Sequence, residues 1–183
     1  MNKVFYPRIA MINLRNNGRT YVPYLLTCIF STAMFYVICS LSLNPDLDTM
    51  LGGGYMRTLL QMGTWIVGFF VIIFLFYTNS FLMKRRKKEF GVFNILVMEK
   101  RHISKVIAYE TLFTALVSLL AGISLGIVLE RLLYYALGVM MAGGGALTFN
   151  ISVEGIRTTL ILFAIIHQIG RAHVRTPVTY ADL

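Results

Sequence analysis

Charged residues are scarce in this sequence of 183 residues. Asp, Glu, Lys and Arg make up only 14% of it, whereas a soluble domain carries about 25%. Residues with hydrophobic side chains make up 57%, and so many of them cannot all be hidden in one small core. The shortage of charge therefore excludes an ordinary soluble domain and predicts a membrane protein.

Acidic residues are scarcer than basic ones. The sequence has 8 Asp and Glu and 17 Lys and Arg, which gives a net charge of +9. A positive charge of this size could indicate nucleic-acid binding. The basic residues, however, lie at the ends of long apolar segments, where membrane topology and lipid headgroups account for them. We therefore expect membrane lipids, and no nucleic acid, as a partner of these charges.

Cysteine is almost absent, and Cys28 and Cys39 lie eleven residues apart in one apolar segment. In a helix this spacing separates them by about 16 Å, which is too far for a disulfide. The histidines show no metal-ligand spacing to one another or to the cysteines. No glycine-rich phosphate loop ending in Lys-Ser or Lys-Thr is present either. The sequence predicts no catalytic site, no metal and no cofactor, and hence no enzyme.

Long apolar runs are what the sequence has in abundance. About 20 helical residues cross a hydrocarbon core of about 30 Å, and three runs reach that length. A fourth run is apolar only as far as Ile166 and is expected to be a truncated crossing. The predicted fold class is an all-α membrane protein with about four transmembrane helices, at 21–41, 59–82, 106–131 and 156–168. Residues 1–20 are expected to form a separate segment with a short helix on the membrane surface.

The basic residues also predict the orientation of the chain. They are concentrated in the N-terminal segment and in the connection between the second and third spans, whereas the other two loops are near neutral or slightly acidic. The positive-inside bias then places the N-terminus and the middle connection in the cytoplasm. We expect a multi-pass protein of the plasma membrane.

The connection between the second and third spans combines charge with apolar surface. Phe90, Phe93, Asn94 and Val97 follow one helical stripe, so a short helix here would expose apolar side chains unless something covers them. The helix could lie on the bilayer, with the basic residues on anionic lipid, or insert into a groove on a partner protein. The residues alone favour neither alternative. The basic cluster comprises Lys84, Arg85, Arg86, Lys87, Lys88, Lys100 and Arg101.

A motif covers the same connection, and its matching residues are Arg86, Glu89, Phe90, Gly91, Val92, Asn94, Ile95, Leu96 and Met98, followed by the basic pair Lys100 and Arg101 and by Glu110. This pattern resembles the corresponding connection in the FtsX-like permeases of ABC transporters. The sequence departs from the family at Val97, where the family has a glycine. Glycine there would permit a positive φ that a β-branched valine resists.

The residues before the first span resemble those of the bacitracin-exporter (BceAB-type) branch of that family, namely Ala10, Asn13, Tyr21, Pro23 and Tyr24. The resemblance implies a permease without a nucleotide site of its own, which moves when a cytoplasmic ABC ATPase subunit binds and hydrolyses ATP. A sensor histidine kinase is a further candidate partner. It also implies a longer chain with about ten spans and a large extracellular domain. The implied ATPase-docking coupling helix comprises Glu89, Phe90, Gly91, Val92, Phe93, Asn94, Ile95 and Leu96.

Two features of the third span are candidates for a role inside the membrane. Glu110 lies near its start, and an acid in a span is costly and usually faces protein or water. We expect it either to reach the interface or to take part in structure or coupling. Ser118, Gly122 and Gly126 form a small-xxx-small run, which predicts close packing against another helix.

The last residues, 169–183, have a different character from the rest of the sequence. They resemble the translation of a sequencing adapter, and we interpret them as a non-native tail. The expected protein is then an N-terminal fragment of a longer permease.

The sequence therefore predicts a permease subunit of an ABC transporter that serves peptide-antibiotic resistance or sensing. The alternative is a small membrane adaptor or sensor subunit without an ATPase, whose basic loop binds lipid. An intramembrane enzyme is the third and weakest hypothesis, because the spans contain no paired polar constellation.

Overall fold

The computed structural model describes the backbone at residues 11–12, 14, 16–49, 52–95, 100–140 and 151–179, and side chains at 11–12, 14, 16–19, 21–48, 52–82, 109–136 and 151–168. Within these residues all regular structure is helical, and this confirms the predicted all-α fold. The helices are α1 (Gly18–Ser42), a 3₁₀ turn (Pro45–Thr49), α2 (Gly53–Ile95), α3 (Lys100–Met140) and α4 (Val153–Thr179).

Three of the described helices are long and apolar enough to cross a membrane, over Tyr21–Ser42, Gly53–Leu82 and Tyr109–Ala136. They overlap the predicted crossings at 21–41, 59–82 and 106–131. Helix α4 is not among them, so a fourth, truncated crossing at 156–168 stays a prediction. The backbone of α4 is helical through Thr179, but its side chains after Gln168 lie outside the described residues. The interpretation of 169–183 as a non-native tail is therefore untested.

The chain turns sharply between α1 and α2. Asn44 precedes Pro45, which disfavours helical backbone at Asn44, and the Asn44 side-chain oxygen accepts a hydrogen bond from the Asp46 N–H at 2.8 Å. Gly52 then has a φ of +79°, a conformation that glycine adopts without steric cost. A Cβ atom on Gly53 would overlap the carbonyl oxygen of Leu47. These two glycines thus let the 3₁₀ turn fold directly onto the start of α2.

Helix α1 lies at the centre of the assembly. It packs against α2, α3 and α4, and 56% of its apolar window is buried, compared with 17% for α2 and 28% for α3. Tyr24, Phe35 and Cys39 of α1 share a core cluster with Leu75 of α2 and Phe163 of α4. The first span therefore holds the other three helices together, while most of α2 faces outward.

Helix α2 continues well beyond the apolar part of its sequence. It has 43 residues in one piece, a length of about 65 Å at 1.5 Å per residue. The predicted coupling helix at 89–96 is, as far as Ile95, the C-terminal part of α2 and not a separate helix. Lysine and arginine favour helix and no proline interrupts 84–95, so the helix has no reason to stop after the crossing. The side chains of this part, and all of Leu96, lie outside the described residues.

The N-terminal segment is described only in part. Residues 11, 12, 14 and 16 have helical backbone, Leu14 packs against the core cluster, and Met11 and Ile12 are about half exposed. Residues 1–10 lie outside the described residues, so the interfacial helix over 1–20 stays a prediction.

Candidate functional site

Two glutamates of α3 are buried inside the helix assembly. Glu110 is 1% exposed and Glu130 is 0% exposed, and each accepts a hydrogen bond from a hydroxyl group of α1. The Tyr21 hydroxyl donates to Glu110 Oε2 at 3.0 Å, and the Ser40 hydroxyl donates to Glu130 Oε1. The two acids are 20 residues apart, or about 30 Å along a helix. The Tyr21–Glu110 clasp and the Ser40–Glu130 clasp thus fasten α1 to α3 at two widely separated points.

The bonded residues show that α1 and α3 run parallel and in constant register. The sequence separation between partners is 89 residues at the first clasp and 90 at the second. It is again 90 where the Asn44 side-chain amide donates to the Tyr134 hydroxyl. Partners therefore advance together along both helices, as they must when the first and third crossings of a chain point the same way.

Between the clasps, the glycines of the predicted small-xxx-small run lie against α1. A Cβ atom on Gly122 would lie 2.5 Å from Thr32 Cβ and 2.9 Å from the carbonyl oxygen of Ile29. One on Gly126 would lie 2.7 Å from Tyr36 Cδ1. These glycines let the backbones of α1 and α3 approach closely. Ser118, the third member of the run, is buried and donates to the Ala115 carbonyl at 3.1 Å.

The run is the middle of a longer pattern of buried residues on α1 and α3. Each of the two helices buries a row of mostly polar or small residues spaced four apart, and residues at this spacing lie on the same face of a helix. This spacing is the signal that points to Glu130, a residue within the predicted span 106–131 that is not among the predicted site residues. The row on α1 is Tyr24, Cys28, Thr32, Tyr36 and Ser40, continued by Asn44 just after the helix, and the row on α3 is Glu110, Thr114, Ser118, Gly122, Gly126, Glu130 and Tyr134.

A small cavity lies where all four helices meet, near the Tyr21–Glu110 clasp. Its volume is about 10 Å³, enough for roughly one water molecule. The His167 ring Nδ1 lies 2.9 Å from the carbonyl oxygen of Phe163. The cavity is lined by Tyr24, Leu75, Phe76, Asn79, Thr111, Ile166 and His167. Polar groups from all four helices therefore meet near the Tyr21–Glu110 clasp. Of the two clasps, this one is closer in sequence to the basic connection between α2 and α3.

The predicted docking residues are placed only by their backbone. Residues 89–95 are helical, and α3 begins at Lys100, but the side chains from Met83 to Ala108 lie outside the described residues. This covers the coupling helix and the whole basic cluster, from Lys84 to Arg101. Residues 89–95 continue α2 without a break, and α3 carries Glu110 and Glu130.

Comparison with known proteins identifies the family of the chain. The sequence model described as "FtsX-like permease C-terminal" matches residues 62–170, which is more than half of the chain. An uncharacterized ABC transporter permease, YvcS of Bacillus subtilis, is 31% identical over 162 residues, which are 87% of this chain and 25% of that protein.

Two bacitracin export permease proteins BceB are also similar. The one from Halalkalibacterium halodurans is 26% identical over 159 residues, covering 87% of this chain and 24% of that protein. The one from Bacillus subtilis is 24% identical over 156 residues, covering 85% and 24%. The chain thus spans about a quarter of the length of these relatives. The resemblance drawn from the motif around Glu89 is confirmed, and the chain belongs to the family of FtsX-like permeases.

Proposed function

We propose that this chain is the N-terminal part of a transmembrane permease subunit of an ABC transporter that serves peptide-antibiotic, bacitracin-like resistance or sensing. Its partner would be a cytoplasmic ATPase, and the N-terminus would face the cytoplasm of a plasma-membrane protein. The family match and the names of the bacitracin export relatives support this role. Lipids around the basic cluster and a sensor histidine kinase are further proposed partners.

One structural observation carries the mechanism. The proposed ATPase-docking segment is continuous with the second crossing in a single helix, Gly53–Ile95. A displacement of a helix end is transmitted along the helix because its backbone hydrogen bonds make it stiff. ATP-driven movement of the partner at 89–95 would therefore reach the opposite end of α2, where the Arg57 guanidinium contacts Asp48 at 2.7 Å and the Asn44 carbonyl oxygen at 2.8 Å.

The test is co-purification of the full-length permease with its ATPase. Phe90→Asp places a charge in the proposed apolar contact, and we expect it to abolish co-purification and resistance together. Lys87→Gln, three residues earlier on the same helix, is the control that should retain the ATPase. If Phe90→Asp still co-purifies at the wild-type ratio, docking through this segment is refuted.

The same preparation separates the proposal from a lipid-binding adaptor. Replacing Lys84, Arg85, Lys87 and Lys88 by Gln should weaken sedimentation with vesicles that contain anionic lipid. If that change also leaves resistance intact while Phe90→Asp abolishes it, the ATPase contact is the functional one. If resistance follows lipid binding and no ATPase is recovered even with the wild type, the adaptor hypothesis is correct.

A further inference from the structure

Helix α1 has one side that is open over its first half and closed over its second half. The open part is a row of apolar residues spaced four apart, each about half exposed. The next residue of the row, Ile38, is only partly exposed, because α2 reaches it: a Cβ atom on Gly63 would lie 3.7 Å from Ile38 Cγ2. The open row consists of Val22, Leu26, Phe30 and Met34.

The open row is the floor of a groove that α2 and α3 flank. Helix α4 packs against the three other helices, but α2 and α3 do not pack against each other in the part of the chain that the structure describes. On one side of the row, Ile38 lies against Gly63 of α2. On the other side, the carbonyl oxygen of Ile29, which precedes Phe30, lies against Gly122 of α3.

The α2 side of the groove is aromatic. Phe70, Phe74 and Phe81 lie about two, three and five helical turns after Gly63, so they share its face of α2. The side chains of these three residues are each more than half exposed. The helix face that touches α1 at Gly63 therefore continues as an aromatic border of the groove.

Basic residues follow on both flanking helices at the end of the groove where α1 begins. Lys88 lies about seven turns after Gly63 in the unbroken helix α2, again on the same face. Helix α3 begins at this end with Lys100 and Arg101. These three residues are placed by their backbone alone. Their charges suit an anionic lipid headgroup at the membrane surface.

The length of the open row distinguishes a lipid from another helix. Residues 22–34 cover about 18 Å at 1.5 Å per residue, slightly more than half of a hydrocarbon core of about 30 Å. Beyond them, Val37 and Leu41 are buried and form a cluster with Tyr134 of α3, against which Leu60 of α2 packs. A transmembrane helix needs the full thickness and would meet this closed half, whereas a lipid of one leaflet ends before it.

We propose that this groove binds one anionic phospholipid. An acyl chain lies along the open row of α1 and against the aromatic border of α2, and the headgroup lies at Lys88, Lys100 and Arg101. The inference rests on the proposed function, because it specifies the lipid partner of the basic connection. In the proposed orientation the lipid belongs to the cytoplasmic leaflet, and it bridges α2 and α3 on the side where they do not pack.

Photocrosslinking in the full-length permease tests the position of the lipid. Phe30 or Leu120 is replaced by p-benzoylphenylalanine, in nanodiscs with equal amounts of phosphatidylglycerol and phosphatidylcholine. Leu120 is the matched control: it is exposed, lies at the depth of Phe30 because partners of α1 and α3 are 90 residues apart, and points away from α1, two residues before Gly122.

Mass spectrometry of the crosslinked product gives the lipid preference at each position. At position 30 we expect phosphatidylglycerol to exceed phosphatidylcholine about fivefold for each basic residue that contacts the headgroup. At position 120 the two lipids should be captured equally. Equal ratios at both positions would overturn the proposal, and so would a crosslink from position 30 to another span of the permease.

Native mass spectrometry of proteins without the photoreactive residue gives a second measurement. Wild-type permease should retain one phosphatidylglycerol after detergent exchange, and Lys88→Gln should retain it several-fold less. Arg157→Gln removes the same charge from the exposed surface of α4 near its first turn and should match the wild type. If wild type retains no anionic lipid, or if the two variants behave alike, the groove is not the site.

Recovery of the ATPase from the same preparations separates this inference from the proposed function. If phosphatidylglycerol is preferred at position 30 and no ATPase co-purifies with the wild type, the ATPase contact is refuted and the lipid site stands. If the ATPase co-purifies and position 30 shows no preference, the lipid site alone is refuted.

Discussion

The two clasps between α1 and α3 have the same chemistry and different surroundings. In both, a hydroxyl of α1 donates to a buried glutamate of α3. Glu110 lies at the second residue of its crossing, and Thr111, the next residue, lines a cavity with Asn79 and His167. Glu130 lies deeper, against neutral hydroxyls, with one carboxyl oxygen unpartnered among the described residues.

This difference shows that burial alone does not define the role of an acid within a membrane. An acid at the end of a crossing can find several polar groups nearby, whereas a deeper acid depends on the few hydroxyl groups that pack against it. The following changes break the contact between the clasps, each clasp in turn, and finally an ion pair in the turn between α1 and α2.

The largest effect is expected between the clasps. Gly122→Val would place side-chain atoms into Thr32 and the Ile29 carbonyl oxygen, since even a Cβ atom lies within 2.5–2.9 Å of them. We expect a loss of about 3 kcal/mol in the free energy of unfolding, at the top of the range for overpacking. The measurement is unfolding in mixed micelles.

Gly63→Val is the matched control for this contact. Its Cβ atom would meet only Ile38 at 3.7 Å, an ordinary contact distance. It should cost much less than Gly122→Val under the same conditions. Equal losses for the two variants would mean that the close approach of α1 and α3 is not what Gly122 provides.

Ser40→Ala breaks the Ser40–Glu130 clasp. It removes the hydrogen bond to Glu130 Oε1 from a fully buried carboxyl group. We expect a loss of about 2 kcal/mol in unfolding free energy, within the range for an unsatisfied buried polar group. Ser124→Ala, on the exposed side of α3, is the control and should be nearly neutral.

Tyr21→Phe breaks the Tyr21–Glu110 clasp and should have a smaller effect. It removes one hydrogen bond of 3.0 Å from an acid at the second residue of its crossing. We expect a loss of about 1 kcal/mol, measured in the same unfolding assay. If Tyr21→Phe costs more than Ser40→Ala, the two clasps have been ranked in the wrong order.

The smallest effect is expected at the surface of the turn between α1 and α2. Asp48→Asn removes the ion pair with Arg57, whose side chains are 57% and 28% exposed, respectively. Exposed ion pairs contribute about 0–1 kcal/mol and are screened by salt. The melting temperature of Asp48→Asn should therefore differ little from the wild type, and the difference should shrink further in high salt.

Some features of the structure could be predicted from the sequence, and others could not. The three crossings follow from length and hydropathy alone, because in a bilayer every backbone polar group must be bonded within the chain and helices satisfy this locally. Gly122 and Gly126 could be predicted to pack against another helix because small residues four apart let two helix backbones approach closely. Glu130 was missed because an acid near the end of an apolar run is ordinarily assigned to the interface, and its burial depends on Ser40, 90 residues away.

The sequence by itself determined the class of the protein, its crossings and its family, because apolar length, charge position and the motif around Glu89 are local properties of the chain. The tertiary structure alone decided that α1 and α3 run in register, that Glu130 faces Tyr36 and Ser40, and that α2 extends through Ile95. Contacts between residues 90 positions apart depend on how whole helices pack, and packing reflects the shapes of two surfaces that neither segment specifies separately.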